Sequence, residues 1–199
     1  MNYYIADLHL GHANVLRFDR RPFKDIAEQD EVITQRWNDR VLPDDDVYIL
    51  GDISWYNQEV TCEKYQKLNG RKHLIIGNHD RKLIKEDRIR QLFCELDYYR
   101  EIPFDCANGV VLCHYPILCF NHHLNGWYHF YGHVHNSFEW GFNEHARNEM
   151  INKYGKECNM INVGCMMPYM DYAPRTAEEI IDGYNLFLPH LDEYIRCSK

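Results

Sequence analysis

The chain has 199 residues, of which 45% are hydrophobic and 26% charged, and its formal net charge is −8 with histidine neutral. This length predicts one domain, spanning 1–199, with a substantial core, and the acidic balance argues against a surface that coats long nucleic acids. The eight cysteines include no CxxC pair and are expected to be reduced thiols. The sequence has no apolar run of membrane-spanning length and no signal-peptide pattern, so we expect a soluble cytoplasmic protein that does not bind a membrane.

The first half of the chain alternates predicted strands with predicted helices. Short apolar runs predict strands at 3–6, 47–50 and 74–76. Helical periodicity and capping residues predict helices at 25–40, 59–68 and 81–94, with Asp25 as an N-cap. This β-α-β-α-β-α order favours a parallel or mixed sheet with flanking helices.

The second half is richer in predicted strands. We expect them at 98–104, 109–113, 127–131 and 160–164, the first two joined by a turn at 105–109. A helix is predicted at 176–184, because Thr176 and Glu179 have the spacing of a capping box. The polar segment 136–158 has no clear periodicity, and we interpret it as an insertion.

Motifs rich in metal-ligating residues follow the predicted strands. In chain order they are Asp7-x-His9, Gly51-Asp52, Gly77-Asn78-His79-Asp80, His114 and Gly132-His133-x-His135. Because ligands bind at the carboxyl ends of strands in open α/β sheets, these motifs are expected to converge at one edge. Carboxylates, an amide and imidazoles in this number exceed one closed site and suit two sites that share a carboxylate. Nitrogen and oxygen ligands without thiolate suit Mn, Fe, Zn, Co or Ni, with manganese favoured.

The charge of such a centre favours a phosphate substrate. Two divalent ions, the carboxylates of Asp7 and Asp52 and a bridging hydroxide sum to about +1, and paired ions lower the pKa of bridging water toward neutrality. One imidazole beyond the ligands is then needed to protonate the departing alkoxide, which typically contributes ~10²–10⁴-fold in rate.

These motifs, in this order, resemble those of the calcineurin-like metallophosphoesterase superfamily. The longer stretch 7–14, together with Arg21-Pro22-Phe23, is similar to a bacterial and phage branch of predicted phosphoesterases. The resemblance extends from Asp7 to His135 and is much weaker beyond it. It implies an α/β metallo-dependent phosphatase fold, a four-layer α-β-β-α sandwich of two mixed sheets with flanking helices.

The resemblance also implies a role for each motif residue. The first ion would be held by Asp7, His9, Asp52 and His135. Asp52 would bridge to a second ion, whose remaining ligands would be Asn78, His114 and His133. His79 would protonate the leaving group, oriented by Asp80.

Other residues near these motifs are candidates for binding substrate phosphate, namely His12, Asn14, Arg20 and Arg21. Helix capping is an equal alternative for His12 and Asn14, and a solvated loop is the alternative for the two arginines. The reaction predicted from these features is hydrolysis of a small, nucleotide-like phosphodiester or phosphomonoester by in-line attack of a metal-bridging hydroxide. Two alternatives stay open: a non-catalytic metal-binding scaffold, or the nuclease subunit of a larger complex. The sequence leaves the oligomeric state undecided.

Overall fold

The computed structural model describes residues 1–104, 108–191 and 193. Their backbone forms an α/β fold of two four-stranded sheets with flanking helices, which confirms the predicted α/β class and the presence of two sheets. Within the described part of the chain, no helix combines the length and the apolar character needed to cross a bilayer. The six cysteines at the described positions are free thiols, and Cys106 and Cys197 lie outside the described residues.

The first sheet is entirely parallel. Its strands are, in spatial order, β1 (Asn2–Ile5), β2 (Asp46–Ile49), β3 (Arg71–Ile75) and β4 (Glu95–Asp97). The expectation of two mixed sheets is therefore wrong for this sheet. Parallel neighbours need crossover connections, and helices lie in the connections between the successive strands of this sheet.

The first half contains four helices instead of the three predicted, and their lengths do not always agree with the sequence. They are α1 (Val15–Phe18), α2 (Ile26–Asn38), α3 (Gln58–Tyr65) and α4 (Asp87–Arg90). Asp25 caps α2 as predicted, accepting a bond from the Glu28 amide. The helix predicted at 81–94 is a 3₁₀ turn at Leu83–Lys85 followed by the single turn of α4. This segment buries little apolar surface, and packing of an apolar face is what stabilises a longer helix in a protein.

The second sheet is mixed. Its strands are, in spatial order, β5 (Tyr99–Pro103), β6 (Gly109–Cys113), β7 (Tyr128–Tyr131) and β8 (Asn159–Asn162). The β5–β6 pair is antiparallel, whereas β6–β7 and β7–β8 are parallel. Part of the turn predicted between β5 and β6, at 105–107, lies outside the described residues.

Two longer helices accompany the second sheet. The segment 136–158 contains α5 (Phe138–Tyr154), which connects β7 to β8, begins at a Ser137 cap and ends at Gly155 with a φ of 59°. The second is α6 (Ala177–Phe187), and the predicted capping box of Thr176 and Glu179 is present. A 3₁₀ turn at Leu188–His190 follows it.

The two sheets are joined by hydrogen bonds just after the C-terminal end of β1. The amide of Ala6 donates to the carbonyl of Val163 at 2.8 Å, and the amide of Cys165 donates back to Ala6 at 2.8 Å. The buried rings of Tyr4 and Phe130 pack edge to face, with centroids 5.2 Å apart, and link the first strand to the second sheet. The carboxyl ends of strands from both sheets are thereby brought side by side.

Candidate metal centre

The predicted metal ligands lie directly after strands of both sheets. They follow β1, β2, β3, β6 and β7 in that order, and they are Asp7, His9, Asp52, Asn78, His114, His133 and His135. Main-chain bonds tie these loops together. The amide of His9 donates to the carbonyl of Asp52 at 2.9 Å, and the amide of His133 donates to the Asp7 carboxylate at 3.1 Å. These side chains therefore lie close together, although they follow strands of two sheets and not of the single sheet that was expected.

The first group of donor atoms comes from Asp7, His9, Asp52 and His135. One ligand atom from each lies within 4.8 Å of all the others. The Nε2 atoms of His9 and His135 are 3.1 Å apart, and His9 Nε2 lies 3.5 Å from Asp52 Oδ2. Three of the four residues are buried. Lone-pair donors from separate loops therefore point at one small volume, as they do around a cation.

The second group of donor atoms comes from Asn78, His114 and His133. The Asn78 side-chain oxygen lies 3.0 Å from His114 Nε2 and 2.9 Å from His133 Nδ1. His114 Nε2 is also 3.7 Å from Asp52 Oδ1. The two carboxylate oxygens of Asp52 thus face different groups, Oδ2 toward His9 and Oδ1 toward His114.

The loops that carry these side chains adopt an unusual backbone conformation. Left-handed φ angles of 49° to 70° occur at Asp7, His9, Asp52, His133 and His135. Such angles are uncommon for residues other than glycine, cost roughly 1–3 kcal/mol each, and cluster at functional sites. The surrounding fold therefore holds these residues in a backbone conformation that lowers its stability.

At two motif glycines, neighbouring side chains approach so closely that a Cβ atom would not fit. Gly51 has a φ of 80°, and a Cβ atom there would lie 2.4 Å from His114 Nδ1. A Cβ atom on Gly77 would lie 2.5 Å from Asp52 Oδ1. The glycine that precedes the polar residues in these two motifs is thus required by the side chains of neighbouring predicted ligands.

The electrostatics of the first group fit a divalent cation. Burial, and next the charge of Asp7, raises the pKa of the Asp52 carboxyl. Burial and the neighbouring His135 hold the pKa of His9 well below its usual value. Burial alone would lower the pKa of His135, but Asp7 and Asp19 outweigh it and raise that pKa. A cation would relieve the repulsion between the buried carboxylates, and nitrogen and oxygen donors without thiolate suit Mn, Fe, Co, Ni or Zn.

His79 and Asp80 occupy different environments. His79 is exposed at the rim, its amide donates to Asp52 Oδ1 at 3.1 Å, and its ring centroid lies 4.4 Å from that of Trp55. Asp80 is fully buried, and its oxygens accept bonds from the amides of Gly77, Asp52 and Ile53 at 2.7–3.0 Å. The contacts of the Asp80 carboxylate are thus with the main chain of the loops after β2 and β3, and its expected role in orienting the His79 ring stays a prediction.

The remaining candidates for phosphate binding differ in accessibility. His12 stacks on Trp55 with ring centroids 3.9 Å apart, and its Nδ1 atom lies 3.3 Å from His9 Nδ1. Asn14 is exposed at the start of α1 without a side-chain capping bond, and Arg20 is exposed with a φ of 53°. His12 thus contacts His9, a predicted ligand.

Arg21 is not available to a substrate. Its side chain has no solvent exposure and forms an ion pair with Asp19 at 2.8 Å. The guanidinium also donates to the carbonyls of Asp7 and Leu8 and to the side chain of Gln29 at 3.0–3.2 Å. The expectation that Arg21 grips a phosphate is therefore wrong, because its donors are used inside the protein to fix the loop after β1.

Two residues of this site were not predicted from the sequence. Asp19 is buried and its Oδ1 atom lies 2.8 Å from Nδ1 of His135. Asn162 is fully buried, donates to the carbonyl of His135 at 2.7 Å and accepts from the amide of Gly164 at 2.9 Å. A carboxylate at the second ring nitrogen, as Asp19 is for His135, sets the tautomer and orientation of a metal-binding histidine, whereas Asn162 fixes the main chain of His135. The local signal for Asp19 is its spacing of two residues from Arg21, which is too common a pattern to be informative.

Comparison with other proteins finds relatives that match only part of this chain, and their names assign no function. No family model matches the chain. It is 37% identical to an uncharacterized protein of Methanocaldococcus jannaschii over 81 residues, which are 40% of this chain and 46% of that protein. It is 34% identical to the gene 66 protein of Mycobacterium phage D29 over 130 residues, 57% of this chain and 63% of that one. The chain thus spans less than two thirds of these relatives.

One solved structure shares the fold of this chain over nearly its whole length. A protein of unknown function from Aquifex aeolicus superposes with a TM-score of 0.59 at 22% identity, covering 92% of this chain and 98% of that one. A Pseudomonas putida nuclease aligns with a TM-score of 0.41 at 18% identity, over 67% of this chain and 60% of that one. The first similarity concerns the fold alone, and the second is too distant to bear on function.

Proposed function

We propose that this chain is a metal-dependent phosphoesterase with a two-ion centre. The observation that carries the proposal is the position of Asp52, whose two oxygens face two separate groups of donor atoms. In this proposal Asp7, His9, Asp52 and His135 hold one ion. The other ion is held by Asp52 together with Asn78, His114 and His133.

The chemistry follows from the charge and the position of these side chains. Two divalent ions, when bound, would polarise a phosphate ester and activate a water nucleophile. The imidazole of His79 stands exposed at the rim, next to Asn78, with its backbone fixed to Asp52. From there it can donate a proton to the departing oxygen, while Asp80 keeps the loop rigid through its buried amide bonds.

The architecture agrees with this function. Two four-stranded sheets with outer helices are what a four-layer metallo-dependent phosphatase fold requires, and the order of the motifs resembles the calcineurin-like superfamily. We propose that the whole chain is one such domain and that manganese is its preferred ion. A small, nucleotide-like phosphate ester is the proposed substrate.

Hydrolysis of bis-p-nitrophenyl phosphate and of p-nitrophenyl phosphate tests the proposal, after metal is stripped and Mn²⁺ is restored. We expect turnover that requires Mn²⁺. His79→Ala should keep its bound metal and lose about 10²–10⁴-fold in kcat on a phosphate ester with an alkoxide leaving group, and much less on the two p-nitrophenyl esters, whose phenolate departs without protonation. His145→Ala is the matched control, because that imidazole is exposed on α5 and lines none of the site.

The outcome that contradicts the proposal is equally definite. A protein that binds two ions and hydrolyses neither ester, nor single-stranded DNA, would be a metal-binding scaffold. Loss of metal from His79→Ala would show that this residue is a ligand and not a proton donor.

A further inference from the structure

Two clefts with no lining residue in common open beside the candidate metal ligands. One of about 600 Å³, here called the His79 cleft, is lined by Trp55, Tyr56, Asn78, His79, Arg81 and Lys82, among others. The other, of about 470 Å³ and here called the His133 cleft, is lined by Tyr115, Pro116, His133, Phe138, Glu139 and Phe142, among others. Their walls meet at the second donor group, because Asn78 and His133 are 2.9 Å apart at their nearest polar atoms.

The His133 cleft presents flat apolar surface to solvent. Phe138 is 76% exposed and Phe142 is 69% exposed, one turn further along α5. The ring of Tyr115 lies 4.6 Å from that of His133. Trp140, between the two phenylalanines in sequence, is fully buried and anchors the start of the helix, so both phenyl rings are held outward. Exposed aromatic groups gathered beside a site are typical of ligand recognition.

The His79 cleft combines an aromatic ring with positive charge. Trp55 is 41% exposed, and its ring lies against that of His79. Arg81 and Lys82 are exposed, and neither forms an ion pair within the described part of the chain. Because His79 is the proposed proton donor, the leaving group departs on this side. An anionic leaving group would be attracted here, whereas Glu139 disfavours an anion in the other cleft.

From these two clefts we infer that the substrate is a phosphodiester joining two nucleotide-like groups, and not a monoester. The base on the retained side stacks on Phe138 and Phe142, while the leaving nucleotide lies along Trp55 with its own phosphate near Arg81 and Lys82. In the reaction water adds to phosphorus, the bond from phosphorus to the leaving oxygen breaks, and His79 supplies the proton. A monoester would leave one of the clefts empty. This inference rests on the proposed function.

Binding measurements test whether the aromatic residues of the His133 cleft contact the substrate, and they do not require turnover. The probe is a dinucleotide in which methylene replaces the leaving oxygen, titrated by calorimetry in Mn²⁺. We expect Phe138→Ala combined with Phe142→Ala to weaken its Kd about 5- to 150-fold, the range of base stacking on aromatic side chains. Tyr154→Ala removes another exposed aromatic ring from the same helix, outside the cleft, and should leave the Kd unchanged. An equal Kd for the double variant and the wild type would overturn the inference.

A second pair of probes tests whether Arg81 and Lys82 of the His79 cleft bind an anionic leaving group. The same analogue is compared with and without a terminal phosphate on its leaving nucleoside. The wild type should prefer the phosphorylated form, Arg81→Ala combined with Lys82→Ala should lose the preference, and Lys85→Ala, an exposed neighbour outside the cleft, should keep it. Equal binding of both forms to the wild type would contradict the anionic leaving group. If the analogue binds as described while neither p-nitrophenyl ester nor single-stranded DNA is hydrolysed, the proposed function fails and the ligand class stands.

Discussion

Replacing Arg21 by methionine tests whether the loop after β1 is braced by a buried ion pair. The guanidinium is fully buried, and five contacts of 2.8–3.2 Å join it to Asp19, Gln29 and the carbonyls of Leu8 and Asp7. Arg21→Met removes the guanidinium from the buried carboxylate of Asp19, which then keeps its contact with Nδ1 of His135. Removal of one partner from a buried ion pair costs about 3–5 kcal/mol. Because the free energy of unfolding of a domain is about 5–15 kcal/mol, this loss is a large part of it.

The assay is urea unfolding followed by circular dichroism in the presence of chelator, so that metal binding does not add to the measured free energy. Arg20→Gln is the matched control: Arg20 is exposed, and its replacement should change the free energy of unfolding by no more than about 0.5 kcal/mol. The double variant Asp19→Asn with Arg21→Met should lose less than the sum of the single variants, since both remove the same pair. A loss below about 1 kcal/mol for Arg21→Met would refute the bracing role.

Further predictions concern a buried acid near the site and a buried imidazole away from it. Asp19→Asn removes the negative charge beside Nδ1 of His135, and we expect Mn²⁺ affinity to fall about 10- to 100-fold in a calorimetric titration; an unchanged affinity would contradict the role of Asp19. Burial lowers the pKa of His129 to about 4. Its protonation therefore favours the unfolded chain, so that its contribution to stability is complete above about pH 6.5 and is lost as the pH falls toward 4. Over that interval the free energy of unfolding of the wild type should fall by about 3 kcal/mol more than that of His129→Gln, and parallel pH profiles would show the prediction wrong.

The convergence of the ligands could be predicted because each motif carries its signal locally. An apolar run, a glycine and a polar side chain occupy consecutive positions at Gly51-Asp52 and at Gly77-Asn78. The carboxyl ends of parallel strands then bring such motifs to one edge, wherever they stand in the chain. The structure adds the reason for both glycines, which is the close approach of the side chains of His114 and Asp52.

Residues that support the ligands carry no comparable signal. Asp19 reaches His135 across 116 positions, and nothing in its own neighbourhood distinguishes it from a solvated aspartate. Arg20 and Arg21 look alike in the sequence, yet one is exposed and the other is buried. That difference depends on the packing of Arg21 under the loop after β1, which local patterns do not encode.

Helix α5 was overlooked for a related reason. Its apolar residues do not form one stripe: Trp140 is buried, whereas Phe138 and Phe142 face solvent. Periodicity identifies a helix by a single buried face, so a helix that also exposes aromatic rings beside a binding cleft gives a blurred pattern. The exposed aromatic rings that obscure the helical pattern also support the proposed role of α5 in substrate binding.

The proposal of a two-ion centre is tested most directly by metal stoichiometry. Metal-free protein is incubated with Mn²⁺, separated from free ion by gel filtration, and analysed for manganese per chain beside Asp52→Asn. A shared carboxylate predicts about two ions per chain in the wild type and clearly fewer in the variant, since Asp52 faces both donor groups. A single ion in the wild type, or two ions retained by Asp52→Asn, would contradict the bridging role.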